Sequence, residues 1–412
     1  MTSDQAAPAV PERVTPPFGR DRMVHGWLAL KGLSDAGDAA WTVALAWTAV
    51  QVASPAIAGL VVAAGTIPRA LALLFGGAVA DRFDTRGVMI TTNLVRIAVL
   101  AATATISTTA GDSVTLLVTV AAAFGVCDAL FEPAAGTLGR QLVDEPDLAA
   151  YTSGSQTGAR LGYMAGAALG GGLVATAGLA GAALANLGTY AVVVFYLTAV
   201  LRVRIPIARA EEEPVLRAIA SGFGHLRGEP TARTLVLALS GLNLAVGPAI
   251  ALGIALRVQD EEWGAGTLGV LQALVGLGAL CGALVLFRWR PARPARLAFG
   301  MLVAQGVGIV ALAVPLLSVA LVATTVIGVT AGVASALLGA VFVRAVASEY
   351  LGRLGSILRL GDDVLMPGAM ALFGAVAAGA SLELGFVLYG GAMAALMLVT
   401  VTRPGVRALD RA

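Results

Sequence analysis

Residues 202–230, RVRIPIARAEEEPVLRAIASGFGHLRGEP, are the longest charged segment of the chain and divide it into two halves. On both sides of this segment, apolar runs alternate with short stretches that carry charges, Gly or Pro. The runs have the length of helix that crosses a bilayer core, about 20 residues. Six runs precede the segment and six follow it. The predicted spans are 24–50, 56–80, 87–109, 113–135, 153–177, 179–201, 231–256, 265–287, 295–316, 319–344, 355–379 and 383–402.

The composition supports a membrane protein. Of the 412 residues, 58% are hydrophobic and 13% are charged, whereas soluble domains average roughly 45–50% and about 25%. A soluble protein with so few charged residues would lack the charges that keep its surface solvated. We therefore predict an all-α integral membrane protein with two six-helix bundles. The predicted divisions are a cytoplasmic tail at 1–23, a bundle at 24–201, a cytoplasmic linker at 202–230, a bundle at 231–402 and a cytoplasmic tail at 403–412. We expect the first 22 residues to be disordered.

The basic residues of the loops predict the orientation. If the amino terminus lies in the cytoplasm, Arg257 is the only basic loop residue that falls outside. Basic residues concentrate in cytoplasmic loops of membrane proteins. The sequence thus predicts a multi-pass membrane protein with both termini in the cytoplasm.

The most specific motif is GGAVADRFDTRG at 76–87, in the predicted turn between the second and third spans. It resembles the loop signature G-x-x-x-D-R-x-G-R-R of the major facilitator superfamily, and its D-R-F-D-x-R variant resembles the bacterial exporters that include drug and siderophore exporters. Gly77, Asp81, Arg82 and Arg86 match the signature. A carboxylate beside guanidinium groups can form a charge-assisted lock, so we expect a cytoplasmic gate, to which Glu132 also belongs; alternatively, these charges only set the topology.

A glycine face in the fifth predicted span is the second motif. Gly162, Gly166, Gly170 and Gly171 lie on one side of a helix, where small residues let another helix approach closely. The pattern resembles the antiporter motif of the same exporters, except that Ala167 replaces its proline. Three further strings resemble the same branch: SDAGDAAWTVAL at 34–45, FEPAAGTLGRQLV at 131–143 and EYLGRLGSI at 349–357.

Ionisable residues inside the predicted spans mark a candidate site, because each costs about 2.5–3.5 kcal/mol to insert. We interpret them as the lining of a water-filled cavity in which a carboxylate binds and releases a proton. Alternatively, pairs such as Lys31 with Asp35 merely neutralise each other. Asp38 is the preferred proton carrier, because it matches the Gly-Asp of the family's first helix. The candidates are Lys31, Asp35, Asp38, Arg96, Asp128, Arg160, Arg359, Asp362 and Asp363.

The sequence also argues against several other classes of function. The only lysine, Lys31, is followed by Gly32, so the chain has no phosphate-binding loop and we expect no direct use of ATP. The two histidines do not form a zinc motif, and a net charge of +2 gives no reason to expect nucleic acid. We predict neither enzymatic activity nor a metal or organic cofactor.

The resemblance implies a secondary transporter of the bacterial cytoplasmic membrane, powered by the proton gradient. The leading hypothesis is an exporter of a small amphipathic molecule, such as a drug, a siderophore or a secondary metabolite. An importer or uniporter with the same fold is the main alternative, and a polytopic enzyme, sensor or scaffold is a third. The expected partners are the lipid bilayer and a small-molecule substrate, and the expected oligomeric state is a monomer.

Overall fold

The computed structural model describes residues 15–66, 68, 84–205, 224, 228–289, 291–345 and 348–410. Most of these residues are helical, and no strand occurs among them. The predicted all-α class is therefore confirmed. Of the described helices, eight are long and apolar enough to cross a membrane.

The described part of the first half contains five α-helices. α1 begins where the Asp21 side chain accepts a hydrogen bond from the backbone amide of Val24, and Asp84 caps α3 in the same way. Such caps satisfy amide groups that have no partner within the helix. The bounds are α1 Arg22–Val52, α2 Pro55–Ala64, α3 Thr85–Ala110, α4 Val114–Leu142 and α5 Leu148–Ala199.

The backbone of α5 breaks at Gly178, where φ is 64° and ψ is −166°. Glycine adopts positive φ without the steric penalty that other residues incur. The break divides α5 into a first arm at 148–177 and a second arm at 179–199, where the sequence predicts two spans. The first arm is a continuous helix through Ala167, the residue that replaces the proline of the antiporter motif.

The second half begins with a composite span. α6 ends at Pro248, a π-helical turn follows at Ala249–Gly253, and α7 completes the span. The helices after residue 229 are α6 Pro230–Pro248, α7 Ile254–Asp260, α8 Ala265–Arg288, α9 Pro294–Ala311, α10 Leu317–Ala345, α11 Ser348–Gly379, α12 Leu382–Thr402 and α13 Pro404–Ala408.

The helices pack mainly within each half. α1 packs along α5 in the first half, and α10 packs against α8 in the second. The halves meet where α2 contacts α11 and where α5 contacts α8. Since small residues line these contacts, neighbouring backbones approach closely: a Cβ atom added at Gly374 of α11 would lie 2.6 Å from the carbonyl oxygen of Pro55.

The structure of the amino-terminal tail differs from the sequence prediction. Residues 15–21 are ordered rather than disordered, because polar contacts fix them to the rest of the first half. The Thr15 amide donates to the Asp144 carboxylate at 3.1 Å, and Arg204 pairs with Asp21. Near the carboxyl terminus, Asp410 accepts a hydrogen bond from the backbone amide of Ala295 at 2.8 Å.

Candidate functional site

A cavity of about 1130 Å³ lies between the two halves. Its walls come from α1, α4 and the first arm of α5 on one side, and from α8 and α10 on the other. Ligand pockets for small molecules commonly measure about 300–1,000 Å³, so this cavity can hold one. On the first arm of α5 the lining residues lie between Tyr151 and Met164, toward the predicted cytoplasmic end, and on α1 they run from Trp27 past the middle of the helix to Leu45.

The halves touch at the predicted outer end. A Cβ atom added at Gly171 of α5 would lie 2.5 Å from Cα of Gly269 and 2.7 Å from the carbonyl oxygen of Ala265, both on α8. The α2–α11 contact lies at the same end. The cavity is thus bounded by close helix packing on the side that we predict to face outward.

Asp38 lies in the cavity wall at the middle of α1. Its Oδ1 atom accepts hydrogen bonds from the hydroxyl of Tyr190 and, at 3.2 Å, from Nδ2 of Asn186. Both donors stand on the second arm of α5, four residues apart and therefore on one helix face. Both are buried, so their geometry is held by packing.

Arg96 of α3 adds a buried positive charge beside this carboxylate. Its side chain is 3% exposed, and its guanidinium group pairs with Asp128 of α4. The same group donates to Oδ1 of Asn93 at 3.1 Å and lies 5.2 Å from the ring centroid of Tyr190. Asp38, Arg96, Asp128, Asn186 and Tyr190 form one connected group, which we call the polar cluster.

The other ionisable candidates have different positions. Lys31 and Asp35 line the cavity as an ion pair with 2.9 Å between Nζ and Oδ2. Glu132 and Arg160 also line the cavity. Arg359, Asp362 and Asp363 fall on the backbone of α11, and their side chains lie outside the described part of the structure.

Only part of the predicted gate can be placed. Gly77, Asp81 and Arg82 lie outside the described residues. Arg86 stands in the first turn of α3, and its Nη2 atom donates to the carbonyl oxygen of Thr198 at 2.8 Å, near the end of α5. A guanidinium at this position complements the negative end of the helix dipole.

The glycine face of α5 packs against α1. A Cβ atom added at Gly162 or Gly166 would overlap the carbonyl oxygen of Gly32 or Ala36, and one added at Gly170 would lie 2.7 Å from Cα of Ala40. The face holds α5 against the helix that carries Asp38, while Gly171 contacts the second half of the chain.

The uncharged members of the polar cluster, Tyr190 and Asn186, were not predicted from the sequence. The prediction rested on charged side chains within the spans, and a phenol and an amide carry no charge. Their spacing of four residues within an apolar helix was a usable signal, because buried polar groups require partners.

The match to a known family decides the identity. Residues 28–363 match the family described as the Major Facilitator Superfamily. The chain belongs to this superfamily. No curated protein matches the chain in sequence.

Solved structures of other major facilitator transporters have a similar fold. A variant of the nucleoside transporter NupG has a TM-score of 0.72 at 12% identity, over 93% of this chain and 100% of that one. The peptide-family (POT) transporter PepTSo has a TM-score of 0.73 at 12% identity, over 95% and 98%. A bacterial homolog of the human lysosomal transporter Spinster, inward-facing and unoccupied, has a TM-score of 0.67 at 14% identity, over 95% and 98%.

The fold class predicted from the sequence is confirmed by these matches. The protein is a multi-pass membrane protein with the fold of a small-molecule transporter. At such low identities the likeness shows the fold alone, and transport direction and substrate belong to the proposal that follows.

Proposed function

We propose that this major facilitator protein exports a small amphipathic molecule in exchange for protons, and that Asp38 carries the proton. The supporting observation is the polar cluster, in which Asp38 stands in the cavity wall beside the Arg96–Asp128 pair. A carboxyl group at such a place can be reached by protons through the cavity.

The contacts of Asp38 suggest how a proton affects conformation. The proton affinity of a carboxyl group depends on its hydration, on nearby charges and on its hydrogen-bond donors. Asp38 stands on α1, its donors Tyr190 and Asn186 on α5, and Arg96 on α3. A movement that shifts these helices relative to one another changes all three factors, and the uptake or loss of a proton in turn biases the helix arrangement.

Alternating access requires that the cavity open to each side in turn. The contacts of Gly171 with α8 and of Gly374 with α2 form the closed end in the state described. We propose that the 76–87 motif, with Glu132, closes the cytoplasmic end in the opposite state. The protein would act as a monomer in the bacterial cytoplasmic membrane, with both termini in the cytoplasm.

The direction of transport rests on the sequence motifs that resemble those of exporters. The competing candidate is an importer or uniporter with the same fold. The nucleoside and peptide transporters among the structural neighbours keep this alternative open, since similar folds carry different transport cycles.

An accumulation assay tests the proposal. An exporter-deficient bacterium would express the wild type, Asp38→Asn or the control Asp112→Asn, and receive a panel of dyes, antibiotics and siderophores. We expect at least one compound to be kept out by the wild type and the control. An uncoupler or Asp38→Asn should abolish this exclusion. Higher accumulation with the wild type than with an empty vector would instead support import.

A further inference from the structure

Three hydrogen-bond donors of α5 line the cavity and have no partner among the residues that the structure describes. Gln156, Arg160 and Tyr163 are exposed and line the cavity along one face of the first arm. No hydrogen bond or ion pair connects any of them to another residue of the described ranges. Spacings of four and three residues place their side chains one helical turn apart.

Unlike Arg160, the carboxylates in the first-half wall of the cavity have interaction partners within the protein. Asp35 is paired with Lys31, Asp128 with Arg96, and Asp38 accepts two hydrogen bonds within the polar cluster. Glu132 also has an interaction of its own. Among the described residues that line the cavity, Arg160 is therefore the ionised side chain still available to a ligand.

The part of the opposite wall that the structure describes is mostly apolar. The second half contributes small and aliphatic side chains such as Val275, Ala279, Leu280 and Ala331, and among its described lining residues Ser335 alone has a polar side chain. A cavity with donors on one wall and apolar groups on the other suits a ligand that has a polar head and an apolar body.

We infer that the transported molecule is an amphipathic anion. Its carboxylate, sulfonate or phenolate group binds Arg160 between Gln156 and Tyr163, and its apolar body lies against α8 and α10. A guanidinium group forms strong, charge-assisted hydrogen bonds to such anions. This inference rests on the proposed function, because it assigns the substrate class of the same cavity.

A charge balance follows from this assignment. Exchange of one inward proton for one outward monoanion moves two positive charge equivalents inward per cycle. Exchange for a neutral molecule moves one, and exchange for a monocation moves none. Transport of the anion should therefore respond to membrane potential more steeply than transport of a neutral analogue of the same shape.

The test measures binding to the purified full-length protein in detergent. The probes are anilinonaphthalene sulfonate, its neutral analogue N-phenylnaphthylamine, and the cation tetraphenylphosphonium. We expect the wild type to prefer the sulfonate. Arg160→Gln should weaken sulfonate binding about tenfold, as expected for the loss of one charge-assisted contact, and should leave binding of the neutral probe unchanged. Arg160→Lys should restore part of the affinity.

Arg140→Gln is the matched control, because Arg140 is exposed at the end of α4 and does not line the cavity. The inference would be overturned by equal binding of the sulfonate and the neutral probe, or by a preference for the cation. It would also be overturned if Arg160→Gln and Arg140→Gln weakened sulfonate binding equally. The proposed function would survive these results if Asp38-dependent export remained. Arg160-dependent binding without proton-driven export would refute the function and leave the binding site standing.

Discussion

Arg96 is the residue on which the polar cluster depends. A guanidinium group that is 3% exposed must be compensated by nearby acceptors, because a buried unpaired charge is strongly destabilising. Asp128 supplies the paired charge, Asn93 accepts a hydrogen bond, and Asp38 lies close by. The cluster therefore stabilises the packing of the first half, and we propose that it also binds the transported proton.

Removal of this charge should destabilise the protein. We expect Arg96→Gln to lower the free energy of unfolding by roughly 1–3 kcal/mol, because Asp128 loses its charged partner. Water limits this loss, since the side chain of Asp128 is 35% exposed. Thermal unfolding in detergent measures the effect. Adding Asp128→Asn should recover part of the loss. If Asp128→Asn lowered the stability of the Arg96→Gln variant by as much as it lowers that of the wild type, the two residues would not be coupled.

At this scale the sequence predicted charges better than it predicted their partners. The i,i+4 spacing of Lys31 and Asp35 was sufficient to propose their ion pair. The partners of Asp38 were not predictable in this way, because Tyr190 and Asn186 lie about 150 residues away in sequence and reach it only after α1 packs on α5.

Among the helices, the α1–α5 contact positions the site. α5 presents glycines to the backbone of α1 at Gly32, Ala36 and Ala40, so the helices approach more closely than side chains would allow. The same packing brings the second arm of α5 within hydrogen-bond distance of Asp38.

A bulky residue on the glycine face should separate these helices. Gly166→Val places a side chain onto the carbonyl oxygen of Ala36, and we expect a loss of roughly 1–3 kcal/mol in stability. Gly172→Val is the control, because a Cβ atom there has no neighbour within 4 Å. Melting temperatures in detergent compare the two variants. Equal stability of both would contradict the packing described here.

The ordered amino-terminal segment yields a prediction of its own. Burial opposes ionisation of Asp21, but hydrogen bonds from Arg204 and from the amides of Val24 and Met23 outweigh it and hold the pKa of the Asp21 carboxyl below its usual range. A lowered pKa in the folded state stabilises the protein above the unfolded pKa, and this contribution is lost as the pH falls through the folded value. We therefore expect Arg204→Gln to lower the melting temperature at pH 7 and to have a smaller effect in strong acid. A pH-independent effect of the variant would contradict this linkage.

The lengths of most helices were predictable, because apolar runs and flanking charges determine where a span begins and ends. The order of residues 15–21 was not, because it depends on contacts with Asp144 and Arg204, far along the chain. The π-helical turn at Ala249–Gly253 also has no counterpart in the apolar pattern.

In the whole molecule, the two halves touch at the predicted outer end and enclose the cavity on the opposite side. α5 takes part in both arrangements: Gly171 contacts α8, and Arg160 lines the cavity. Sequence reasoning predicted two halves, whereas the pairing of α2 with α11 and of α5 with α8 depends on tertiary packing that no local pattern encodes.

This arrangement predicts one-sided access. In a background with Cys127→Ser and Cys281→Ser, Ser155→Cys in the cavity should react with a membrane-impermeant maleimide in inside-out vesicles. Asp112→Cys, in the loop between α3 and α4, should react only in right-side-out vesicles. Labelling of both positions from the same side would contradict the predicted orientation or the closure of the outer end.

The central claim is that transport is coupled to protons through Asp38. Its most direct test is substrate-induced proton movement in proteoliposomes that contain a pH-sensitive dye, with the compound that the accumulation assay selects. We expect the substrate to drive proton flux through the wild type and through Asp112→Asn. We expect Asp38→Asn to bind and exchange substrate without moving protons. Undiminished proton flux through Asp38→Asn would contradict the claim.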